Sequence, residues 1–221
     1  MTEKIKINMR DLHLITLIII GANALFSMQG FKNYTLFEKY KFNVRDVQRG
    51  EYVRMFSSGF LHADWQHLIF NMLTLFFFAN VVIYNVGVLS FVITYLLALL
   101  LGNIFTLYFH KNEPYYSAVG ASGAVTGILY ASILFAPNML IFVFFIPMPA
   151  YIFGIGYLLY SIYGMKTRSG NIGHSAHFGG AVGGLLYALI LKPHLITTQP
   201  LLIIGMLVPI VLLLVFRKRL M

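Results

Sequence analysis

The sequence predicts an all-α fold, a polytopic transmembrane helical bundle. Three observations carry that prediction. Of the 221 residues, 59% are hydrophobic and only 10% are charged, whereas a soluble domain carries roughly a quarter charged residues. The apolar residues gather into seven runs, most of them close to the roughly 20 residues that a helix needs to cross a bilayer. Finally, the 7 acidic residues end at Glu113, and none of them falls inside an apolar run. With no cysteine in the chain, disulfides, thiol catalysis and cysteine metal sites are excluded. The net charge of +9 is spread over loops and both termini. We read it as topology and lipid-headgroup contact, not as a nucleic-acid surface.

The spans follow in order. Lys4, Lys6 and Arg10 precede a run from about Leu12 to Phe31. Ala22-Asn23-Ala24 resembles a signal-peptide cleavage site, but the apolar run continues past it to full spanning length, so this span is retained. Asn33 to Gln66 is a long connection rich in charge and aromatics, which places it at the membrane interface. Span 2 covers about Gln66 to Tyr84, and span 3 about Val88 to Phe109, after a short turn at Asn85 to Gly87. Span 4 runs from Gly120 to about Phe135, and span 5 from about Met139 to Tyr163, with Pro147 and Pro149 expected to kink it. Span 6 is His174 to Leu191, and span 7 is Leu201 to Phe216.

Consecutive spans alternate in direction, so the N-terminal ends of spans 2, 4 and 6 share one face. His67 and Asn71 lie in the first turns of span 2, four residues apart and therefore on one side. Ser122 lies in the first turn of span 4, and His174 and His177 in that of span 6. Span 4 is short. Its rise of about 24 Å falls below the hydrocarbon thickness of about 30 Å, which recesses its start into a cavity that water must reach. A serine and a histidine at such starts are the minimum parts for nucleophilic catalysis. His177 would take the Ser122 proton, and the Ser122 hydroxyl would attack a peptide carbonyl. The backbone N–H of Ser122, with side-chain donors from His67 and Asn71, would hold the oxyanion. With no Asp or Glu beyond Glu113, this is a dyad and not a triad.

Phe60-Leu61-His62, His67-Leu68-Ile69-Phe70-Asn71, Gly120-Ala121-Ser122-Gly123 and Ala176-His177-Phe178-Gly179-Gly180 together resemble the signature set of the rhomboid intramembrane serine proteases. The resemblance covers spans 2 to 6 and part of the first loop. It implies a rhomboid-like six-helix core with Ser122 as nucleophile, His177 as base, and His67 and Asn71 at the oxyanion. It also implies transmembrane protein substrates cut within the bilayer, and no cofactor or metal. The domain expectation is an N-terminal tail (1–11), a core (12–192, with first loop 33–66) and an additional C-terminal transmembrane helix (193–221). The expected location is the bacterial cytoplasmic membrane. Three positions depart from the family pattern: Val53 stands where a tryptophan often precedes Arg54, Thr126 replaces an aromatic four residues after the serine, and Gly173 replaces an aspartate.

Competing readings are weaker. A catalytically inactive, quality-control relative would typically lose the serine or the histidine, and both are present. A transporter predicts intramembrane acids or paired broken helices. A zinc site from His62, His67, His174 and His177 lacks an HExxH pattern and an acidic partner. His174 reads as structural or as part of the entrance, and His62 as a brace for the first loop. Gly179, Gly180, Gly183 and Gly184 read as the face that packs span 6 on span 4.

Overall fold

A computed structural model describes residues 13–143, 145–167 and 173–220; the expected tail, 1–11, lies outside them. The helices are α1 Leu14–Lys32, α2 Tyr34–Tyr40, α3 Val44–Gln48, α4 Arg54–Ser57, α5 Trp65–Phe109, α6 Ser122–Phe135, α7 Ala150–Thr167, α8 His174–Leu191, α9 Leu195–Thr198 and α10 Pro200–Leu220. Two short antiparallel pairs join β1 (Phe42–Asn43) to β2 (Ser117–Ala118) and β3 (Leu140–Val143) to β4 (Ile146–Pro149).

The bundle is built around α6. Every residue from Gly123 to Leu134 is buried, so this helix is apolar all round because protein surrounds it all round. Its neighbours are α5 and α8. The α5 rod breaks at Gly87, where φ is 82°. That left-handed backbone suits glycine and no other residue, and it turns the rod into two spans, 65–86 and 88–109, as the sequence predicts. By length and hydropathy, α1, α5 and α8 qualify as membrane-crossing helices among the described residues, and α6 and residues 200–213 of α10 are shorter apolar helices.

Glycines set the spacing between α8 and its neighbours. A methyl group on Gly180 would land on the Gly123 carbonyl, and one on Gly184 on the Gly127 carbonyl. Gly179 and Gly183 face the 88–109 half of α5 instead, where their added carbons would meet the Leu101 carbonyl at 2.7 Å and the Ala98 Cα at 3.2 Å. The expectation that all four glycines face α6 is therefore corrected: two do, and two pack on α5. The reason is rotational. Adjacent residues on a helix point about 100° apart, so neighbouring glycines serve neighbouring helices.

The first loop is folded. Arg54 is buried and donates to the carbonyls of Glu38 and Lys41 at 2.8 and 2.9 Å, while pairing with Glu51 at 2.7 Å and Asp46 at 3.3 Å. The Asn103 side chain donates to the Met55 carbonyl at 2.7 Å, tying this loop to α5.

Span 5 is corrected most. Residues 140–143 and 146–149 are not helix but the paired strands β3 and β4, and α7 starts at Ala150. Pro147 and Pro149 have no N–H and force the residues before them towards extended backbone. Phe145, with φ at 69°, sits at the turn. The prolines therefore stop a helix from forming instead of bending one. Beyond α8, α10 packs against α7, with Gly205 beside Ile155.

Candidate active site

The N-terminal ends of α5, α6 and α8 meet at one cavity of about 980 Å³, lined among others by His67, Asn71, Ser122, Thr126, Tyr157 and His177. All four residues expected to carry chemistry are therefore on one wall system.

Ser122 arrives there on a tethered lead-in. β2 pairs with β1 of the first loop. The Gly120 N–H donates to the Ser58 carbonyl at 2.9 Å, and the Ala121 N–H to Nε2 of His62 at 3.3 Å. Gly120 has φ at 127°, and a methyl group there would meet the His67 imidazole at 2.6 Å. The glycine thus serves both the turn and the close approach of that ring. Ser122 opens α6, and first-turn N–H groups have no intrahelical partner and carry partial positive charge.

His62 braces this lead-in, and its tautomer can be deduced. The Ser27 hydroxyl donates to the Phe60 carbonyl at 3.0 Å, so its oxygen accepts from His62 Nδ1–H at 2.8 Å. Nε2 is then bare and accepts from Ala121. Burial pushes the His62 imidazole down to about 3; nearby His67 adds to this and Asp64 opposes it. The ring is neutral, as its two bonds require.

Asp64 caps α5 by accepting the His67 N–H at 2.7 Å. One N–H of the Asn71 amide donates to the His67 carbonyl at 3.0 Å. An amide carries two N–H groups, and Asn71 lines the cavity.

His177 is buried one turn into α8. Its Nδ1 is 2.7 Å from the hydroxyl of Tyr157 on α7, and the two rings lie 5.9 Å apart at 26°. Sequence reasoning missed Tyr157, a tyrosine inside an apolar run with no local pattern to mark it. At the position where an aromatic was expected, Thr126 donates its hydroxyl to the Ser122 carbonyl at 2.6 Å. The ring beside His177 comes from α7 instead. Among the described residues, no hydrogen bond joins Ser122 to His177; they share the cavity, with Gly123 seated on the Ala176 carbonyl between their helices. His174 is buried against the edge of Tyr160 at 5.2 Å and does not line the cavity.

The Rhomboid domain matches residues 49–194, about two thirds of the chain. Over 193 residues the chain is 28% identical to RHOMBOID-like protein 12, mitochondrial, of Arabidopsis thaliana, covering 80% of this chain and 57% of that protein. It is 28% identical over 176 residues to Rhomboid protein 1, mitochondrial, of Saccharomyces cerevisiae, covering 76% and 51%. It is 31% identical over 147 residues to YdcA of Bacillus subtilis, named as a candidate rhomboid protease, covering 65% and 69%. The chain spans little more than half the length of the first two. Two of these three relatives are mitochondrial, so the expected bacterial cytoplasmic membrane gains no support from them, whereas a multi-pass membrane protein does. The apolar spans, the glycine-spaced core and the domain match lead to one conclusion: the chain is a multi-pass membrane protein that belongs to the rhomboid family.

Proposed function

We propose that the chain is an intramembrane serine endopeptidase acting through Ser122 and His177. The observation that supports this most is the shared cavity, where a hydroxyl from one helix start and an imidazole from another face a common space beside His67 and Asn71. Ser122 Oγ attacks the carbonyl carbon of a substrate peptide bond as His177 Nε2 takes its proton. The negative oxygen is held by the Ser122 backbone N–H, the second Asn71 N–H and the His67 ring. Collapse of the tetrahedral intermediate expels the amine, which receives the proton back from His177. Water then attacks the acyl-enzyme by the same path, with His177 again as base.

The substrates we propose are transmembrane segments of other membrane proteins, because the cavity lies among helix ends inside the bundle. We also propose that α10 is an addition to the core; it follows the matched residues 49–194 and packs against α7. The test is labelling of purified chain with a fluorophosphonate probe. Wild type is expected to form a covalent adduct, and Ser122→Ala and His177→Ala are expected to form none. An adduct that survives Ser122→Ala, or a wild type that never labels, overturns the reading.

A further inference from the structure

A base that accepts the Ser122 proton on Nε2 must carry its own proton on Nδ1. In serine enzymes of the triad type a carboxylate enforces that tautomer, and this chain has no Asp or Glu after Glu113. What faces Nδ1 of His177 is the Tyr157 hydroxyl at 2.7 Å. A phenol both accepts and donates, so on its own it leaves the tautomer open. The reading of the site closes the choice: a bare Nε2 for the serine leaves the hydrogen on Nδ1, and the phenol oxygen, 2.7 Å away, accepts it.

We propose that Tyr157 is a positioning residue that fixes His177 in the Nδ1–H tautomer and holds its ring plane beside the serine. The inference rests on the proposed serine–histidine reading of the site. In this arrangement His177 Nδ1–H donates to the Tyr157 hydroxyl oxygen. When His177 takes the serine proton, the Nδ1–H bond to Tyr157 persists and the imidazolium remains in place. The orienting group sits on α7, a different helix from both reacting residues, so the base is set only while α7 is seated against α8.

The experiment uses the full chain in lipid nanodiscs. Tyr157→Phe keeps the ring and deletes the hydroxyl. For Tyr157→Phe, kcat on a transmembrane substrate is expected to fall about ten- to a hundred-fold, with KM and the unfolding midpoint unchanged. Tyr157→Leu, which also removes the ring, reports on stacking. Ring-15N histidine NMR supplies a readout independent of turnover. The His177 signals, identified by their loss in His177→Ala, are expected to show a protonated Nδ1 and a bare Nε2 in wild type, and a mixture in Tyr157→Phe. A wild-type kcat in Tyr157→Phe, including one accompanied by a loss in Tyr157→Leu, overturns the proposal, and so does a wild-type His177 protonated on Nε2. A chain whose serine never labels defeats the protease reading alone, because the tautomer measurement still decides the positioning claim.

Discussion

The two sides of the cavity are held together in different ways. On one side, α6 and α8 touch backbone to backbone, with Gly180 on the Gly123 carbonyl and Gly184 on the Gly127 carbonyl. On the other, α7 meets the core through side chains: Tyr130 donates to the Gly154 carbonyl, Tyr157 reaches His177, and Gly156 faces open space with nothing within 4 Å of an added carbon. Inside a bilayer, helix association relies on close packing, because lipid tails are as apolar as the side chains. The small-residue seam is therefore the rigid part, and it carries both groups proposed to react. The α7 side carries only the group that orients one of them.

Substitutions on the two sides test that contrast. The largest effect is expected at the seam. Gly180→Leu should abolish cleavage although it leaves Ser122 and His177 in place, and even Gly180→Ala should cost at least the roughly 1–3 kcal/mol of ordinary overpacking, because the clash is with backbone. Unfolding in detergent and cleavage of a reporter substrate check both; full activity in Gly180→Leu would show that the seam does not set the site.

The lead-in to Ser122 comes next. His62 binds a proton at its ordinary 6.5 when unfolded and only at about 3 when folded. Between those values the unfolded state holds more protons, so stability contributed by this residue falls as the pH drops from about 6.5 towards 3. His62→Ala is expected to remove that part of the slope and to leave the Ala121 N–H unpaired, a cost of about 1–3 kcal/mol. Unfolding midpoints of both proteins across that pH range decide it; parallel slopes would refute the assignment.

The smallest effect is expected at Gly156 of α7. Gly156→Ala meets no neighbour and should gain about 0.5–1 kcal/mol from helix propensity and reduced unfolded-state freedom, with cleavage within about two-fold of wild type. A large loss there would mean that α7 is packed as tightly as the seam, and the contrast would dissolve.

Much of this architecture is legible in the sequence, because each span leaves a local signature. Gly87 announces the break in α5, and the serine, histidine and asparagine positions follow from the alternation of span direction. The β3–β4 pair is less legible. Leu140, Phe142, Phe145 and Ile146 are all exposed apolar residues, so hydropathy alone reads the stretch as a continuing span. Pro147 and Pro149 carry the correction, since two prolines in alternation fit a strand edge better than a helix. Tyr157 lies beyond this kind of reading. Its role depends on meeting a ring 20 residues away on the next helix, and nothing in its own neighbourhood distinguishes it from Tyr151 or Tyr160. The division of the glycines between α5 and α6 is hidden for the same reason: spacing shows that small residues line a helix, not which neighbour each one admits.

The tethering of Ser122 to the first loop has a practical consequence. Ser58, His62 and Phe42 hold the peptide just before Ser122, the proposed nucleophile, although they precede it by some sixty to eighty positions. An affinity tag or a protease nick introduced between spans 1 and 2 lands on the scaffold of the nucleophile. Such a chain would remain embedded and largely helical yet present its serine in the wrong place, so reporters are better fused at the termini.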